Sequence, residues 1–104
     1  MINASVAIQV LPDAPDNAEL CRIVDRVIDY IKGYGLKTEV GPFETTVEGD
    51  YDTLMELVKG CQLIAYQAGA PSVVSYVKIF FSPKGGLLTI DQKITKYREG
   101  SSNV

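Results

Sequence analysis

Gly41-Pro-Phe-Glu-Thr-Thr-Val-Glu-Gly-Asp-Tyr-Asp52 compresses a turn, a strand and a helix start into twelve residues. Gly41-Pro42 turns the chain, and Phe43 to Glu48 returns from it as a strand. Asp50 then stands where a helix cap belongs. Side chains alternate across a strand, so Thr45 and Val47 point one way and Glu44, Thr46 and Glu48 the other. A strand that only builds a core has no use for so many polar groups. The polar side faces either a ligand or another subunit.

The pattern on either side gives the segment its setting. Upstream, Ala4 to Leu11 alternates Val6, Ile8 and Val10 with Ser5, Ala7 and Gln9, a first strand ended by Pro12 and Pro15. Asp16, with Glu19 three residues on, opens a helix that runs to about Tyr34. Its apolar stripe is Leu20, Cys21, Val24, Val27, Ile28 and Ile31, and Gly33 and Gly35 stop it. Leu36 to Val40 is a second strand. Downstream, a helix spans about Tyr51 to Gln67, with Leu54, Leu57, Val58, Cys61, Ile64, Ala65 and Ala68 on its apolar face. Ser72 to Phe81 is a fourth strand. Thr89 and Gln92 form a capping box for a last helix reaching about Arg98.

The order βαββαβ plus a helix predicts an α+β fold, a ferredoxin-like sandwich with a four-stranded antiparallel sheet and an additional C-terminal helix. Right-handed crossovers would make the first and third strands parallel neighbours at its centre. The chain has 104 residues, so one domain over 1–104 is expected. Only the tail Gly100-Ser-Ser-Asn-Val104 has the composition of a disordered segment.

Composition removes several classes of function. The net charge is −3 and the ten basic residues are scattered, which argues against nucleic acid or an anionic membrane surface. No apolar run reaches the length of a membrane span, and the N-terminal residues lack a signal-peptide pattern, so a cytoplasmic protein is expected. Histidine is absent, and with it the commonest general base and metal ligand. Cys21 and Cys61 are expected as reduced, buried thiols rather than a redox pair or metal ligands. No metal site, cofactor site or catalytic group stands out. Glu44 and Glu48 are four residues apart on a strand, about 13 Å between Cα atoms, which is long for a cooperating acid–base pair.

Helices on one face of a sheet leave the other bare. That open face is expected to carry Gln9, Glu44, Thr46, Glu48, Tyr76 and Lys78, with Phe80, over a floor of Ala7 and Leu11. Val77, Ile79 and Phe81 then point inward. Such a mixed face calls for a cover. A second subunit stacked sheet to sheet would supply one, with Lys78 paired to Glu44 or Glu48. A ligand held there would supply another. An RNA-binding sheet of this shape needs central aromatics, and Ala7, Gln9, Thr46 and Glu48 stand there instead. Gly85-Gly86 is too short to mark a phosphate loop.

Taken together, the 41–52 segment, Ala4-Ser-Val-Ala-Ile-Gln-Val-Leu-Pro12, Ala68-Gly-Ala70 and Val77-Lys-Ile79 resemble the family of small ferredoxin-like thiamine-binding proteins. The resemblance covers nearly the whole chain. It implies non-catalytic binding of thiamine or its hydroxymethylpyrimidine half, and association through the sheets into homodimers and homotetramers. By position it assigns Thr45, Thr46, Glu48 and Lys78 to the site. Many relatives carry an acidic residue where this chain has Ala7. For such a ligand, Glu48 would balance the thiazolium cation or accept from the amino group. Gln9 would read ring nitrogens, and Tyr76 would stack on a ring. The alternative is an oligomeric interaction or regulatory domain with no small ligand.

Overall fold

The structure is a computed structural model and describes residues 2–100. The 101–104 tail lies outside the described residues. In chain order the elements are β1 (Ala4–Pro12), α1 (Asn17–Lys32), β2 (Thr38–Val40), β3 (Thr45–Gly49), α2 (Tyr51–Gln67), β4 (Val73–Phe81) and α3 (Ile90–Gly100). The sheet order is β2-β3-β1-β4, the ferredoxin-like α+β arrangement that the element order predicts.

Every neighbouring pair in the sheet is antiparallel, including β1 with β3. The parallel central pair expected from the crossovers is therefore corrected. The helix crossover makes β1 and β2 run the same way. The hairpin at Gly41–Glu44 then reverses β3, which slots between them and opposes both. Its turn is closed by Gly41 N–H donating to the Glu44 carbonyl at 2.9 Å.

The core lies between the sheet and the two long helices. Val6, Ile8 and Val47 meet Ile23, Val27 and Ile31 of α1 and Leu54, Leu57, Cys61 and Ala65 of α2, all buried. The buried stripe of α1 is Ile23, Val27 and Ile31; the sequence reading named the last two and passed over Ile23. Cys21 is exposed, not a core thiol. It sits two residues from Ile23, about 200° around a helix of 3.6 residues per turn, so it cannot share that face. Cys61 is buried as expected, and burial pushes its thiol up to about 12. Gly60 lies within α2 for a steric reason. A Cβ there would lie 1.8 Å from the Tyr30 hydroxyl, which bonds the Tyr34 hydroxyl at 2.9 Å.

The caps follow the sequence with one exception. Asp16 accepts from Glu19 N–H and Asp50 from Thr53 N–H. The Glu19 carboxylate, however, turns to Arg22 instead of closing a capping box. Two strands begin later than predicted: Leu36 and Lys37 lie outside β2, and Phe43 and Glu44 outside β3, with Phe43 exposed on the hairpin. Helix α1 stops at Lys32, before Tyr34. Ile79 and Phe81 share the inner face with Val6 and Ala4 but stay half exposed, because β4 is an edge strand.

Candidate functional site

The sheet register sorts the face opposite α1 and α2 into rows. Glu48, Ser5 and Phe80 form one row, and Glu39, Thr46, Ala7 and Lys78 the next. Gln9 and Tyr76 make a third, Leu11 and Val74 a fourth. Five of the six sequence candidates (Gln9, Thr46, Glu48, Tyr76 and Lys78) thus share this face. Thr45 does not. It pairs with Ile8 on the inner side and is buried, lining a small cavity of about 100 Å³ between the hairpin and α1. The adjacent threonines of the 41–52 segment serve opposite sides of one sheet.

The open face is not wholly bare, as the sequence reading had it. Helix α3 folds onto one end. Thr89 and Gln92 form the predicted capping box, each bonding the other's backbone N–H. The Ile90 N–H donates to Glu48 Oε2 at 2.8 Å. Glu48 is only 5% exposed and Ile90 only 4%. A carboxylate at a helix N-terminus meets both an orphan donor and the positive end of the helix dipole. Glu48, read from sequence as a ligand or Lys78 partner, is occupied in holding α3. Further along, Lys37 pairs with Asp91 at 3.1 Å, and Arg98 in the last turn bonds Glu39 on β2.

A pocket of about 430 Å³ opens where α3 meets the uncovered sheet. Ser5, Ala7 and Thr46 make its floor. Glu39 and Glu44 stand on one side, Lys78 and Phe80 on the other, and α3 adds Ile90, Lys93 and Ile94 as a wall. The volume falls within the roughly 300–1,000 Å³ of small-molecule sites. Small residues on β1 create the depth, since a long side chain at Ala7 would fill it. Lys78 Nζ reaches Glu44 Oε1 at 3.0 Å, the first of the two pairings expected for it. Lys78 remains 78% exposed and the Glu44 side chain 34%. Both pocket carboxylates are therefore met by protein cations, Glu44 by Lys78 and Glu39 by Arg98.

Chemically the pocket offers a floor of small side chains with two hydroxyls, two isoleucines on the α3 wall, one aromatic ring, and acidic and basic groups in equal number. Tyr76 lies one row beyond Lys78, 62% exposed, and outside the lining. Phe80 is the aromatic group at the pocket. Glu39 and the α3 residues went unnamed as site residues in the sequence reading. Alternation along β2 would have put Glu39 beside Thr46, and the four-residue spacing of Ile90 and Ile94 marks an apolar face on α3. Among the described residues no cluster of three or more His, Cys, Asp or Glu is placed to hold a metal. No described helix is long and apolar enough to cross a membrane.

Comparison with known proteins is consistent over nearly the full length. Residues 6–98 match the family described as thiamine-binding protein. A UPF0045 protein of Clostridium perfringens is 48% identical over 98 residues, 94% of this chain and all of the relative. A Bacillus cereus domain of unknown function, DUF77, superposes with a TM-score of 0.83 at 36% identity, covering 94% of this chain and 92% of that one. A Thermotoga maritima protein, provisionally described as acting in thiamine biosynthesis or salvage, gives a TM-score of 0.80 at 35% identity. It covers 92% of this chain and 99% of the other.

Proposed function

Because this chain belongs to the thiamine-binding protein family, we propose that the pocket above Ala7 binds thiamine or its hydroxymethylpyrimidine half, without chemistry on it. The observation that carries the reading is a small-molecule-sized pocket with two carboxylates, two hydroxyls and an aromatic ring on one side of α3. Glu44 balances the thiazolium cation, while Glu39 stays paired with Arg98. The hydroxyls of Thr46 and Ser5 read the aminopyrimidine, whose nitrogens both donate and accept. Phe80 stacks on a ring. Glu48 contributes by fixing the α3 wall. Thr45 lies outside this site, and Gln9 and Tyr76 border its open end. The protein would act in the cytoplasm as a carrier, store or sensor of the vitamin.

The same proposal includes self-association. Leu11, Val74 and Tyr76, all exposed, form an apolar strip beside the pocket on which a second copy would stack. If no ligand binds, this strip is what remains, and an interaction domain is the better reading.

Calorimetry with thiamine and with hydroxymethylpyrimidine tests the proposal. Heat from at least one, at protein concentrations well above micromolar, is expected. Thr46→Val removes one neutral hydrogen bond, usually about 0.5–1.5 kcal/mol, so thiamine binding should weaken roughly two- to tenfold. Ala7→Leu should abolish it. No heat from either ligand overturns the reading. Unchanged affinity in Ala7→Leu moves the site elsewhere.

A further inference from the structure

Of the two lysines that line the pocket, Lys78 and Lys93, Lys78 is the one that stands on Glu44. Its ammonium sits on Glu44 at 3.0 Å, and its row partner across β1 is Ala7. Alanine there is too short to obstruct the lysine, so the ion pair spans β1 above the pocket floor. A ligand cation that bonds Glu44 through Oε1 takes the place that Lys78 holds. The second carboxylate, Glu39, is held by Arg98 from α3, so Glu44 is the one whose cation comes from the rigid sheet.

We propose that Lys78 is a specificity-determining residue that works by exchange. It neutralises Glu44 in the empty pocket and yields that carboxylate to an organic cation. This inference rests on the pocket being the ligand site. Two physical consequences follow. First, Lys78 competes with the ligand, so it lowers affinity for cations relative to neutral molecules of similar shape. The pair is largely exposed, and pairs of this kind are worth little. The competition is therefore modest and readily reversed. Second, exchange replaces one ion pair by another. Screening by salt weakens both pairs alike, so wild-type affinity for a cation should vary little with ionic strength.

Thiamine, which is cationic, and hydroxymethylpyrimidine, which is neutral, separate these effects. Calorimetry on wild type, Lys78→Met and Glu44→Gln reads both. The ratio of thiamine to hydroxymethylpyrimidine affinity should rise roughly two- to fivefold in Lys78→Met, the worth of an exposed pair. It should fall in Glu44→Gln. Thiamine affinity of Lys78→Met should also drop more steeply with added salt than that of wild type. The exchange is overturned if Lys78→Met lowers that ratio or leaves it unchanged. It is equally overturned if the salt dependence of the variant matches wild type. If neither ligand gives heat with any of the three proteins, the binding reading itself fails and the exchange goes with it.

Discussion

Replacing Glu48 by alanine separates a carboxylate that binds a ligand from one that holds a helix. Glu48 is 5% exposed and its Oε2 accepts from Ile90 N–H at 2.8 Å. Hydrogen bonds to charged groups contribute about 1.5–3 kcal/mol, and the helix-dipole attraction is part of the same contact. Taking about 2 kcal/mol as lost, docking of α3 weakens roughly 30-fold. Hydrogen exchange at Lys93 and Ile94, on the first turns of α3, should speed up by about that factor. Thiamine binding should fall in parallel, because α3 supplies Ile90, Lys93 and Ile94 to the pocket. Glu48→Gln keeps an acceptor for the Ile90 N–H and should lose much less of both. Retained α3 protection in Glu48→Ala would refute the clamp. Loss of binding in Glu48→Gln with α3 still protected would instead refute a purely structural role and make the carboxylate a direct ligand contact.

Three further outcomes follow from the packing. Burial raises the Cys61 thiol from 9.0 to about 12, so the unfolded chain releases this proton first as pH rises. Its stabilising contribution is full below pH 9 and is lost between 9 and 12 at up to about 1.4 kcal/mol per unit. Urea unfolding should show a correspondingly shallower slope in Cys61→Ala, and a thiol reagent should label Cys21 alone in the native state. Gly41→Ala places a Cβ 2.9 Å from the Glu44 carbonyl, and forcing the hairpin apart should cost about 1–3 kcal/mol, read from the urea midpoint. If copies stack on the exposed strip as proposed, wild type should scatter light as an oligomer and Tyr76→Asp, which puts a charge there, as a smaller species; an oligomer of unchanged mass in the variant would show that association uses another surface.

The architecture was legible because each segment carried its own period and punctuation. The limits of α2, Tyr51 to Gln67, could be set from Asp50 at one end and Gly69 and Pro71 at the other. The open-face rows came from alternation, which needs no knowledge of the partner strand. What escaped were relations between distant elements. Strand direction depends on counting reversals along the chain, and the central pair was given the wrong sense for that reason. Nothing local to Glu48 announces that Ile90, 42 residues later, will claim it. Alternation along Leu36 to Val40 offered Glu39, but nothing local to β2 says that α3 will build a pocket beside it. Cys21 was misplaced because Leu20 and Val24 suggested a wider stripe than the buried one, Ile23, Val27 and Ile31.

The position of the pocket follows from where α3 is anchored, by Glu48 on β3 and Glu39 on β2, and from how little of the face so short a helix covers. Helix α3 has 11 residues, about 16 Å at 1.5 Å per residue. Strand β1 has nine, about 30 Å at the usual rise of an extended chain. A helix that short cannot roof the face that such a strand helps to build. Glu48 and Ile90 fix it over the end where Ser5 and Phe80 lie, leaving Gln9, Leu11, Val74 and Tyr76 uncovered. The pocket forms at the step between the covered and bare halves, where Ser5 and Ala7 are too small to fill the space under the helix. Its walls therefore come from elements with different constraints. The sheet contributes Thr46, Lys78 and Phe80 on a hydrogen-bonded frame, while α3 contributes Ile90, Lys93 and Ile94 through a cap and two ion pairs. A change that loosens α3 should thus reshape the pocket without unfolding the sheet beneath it.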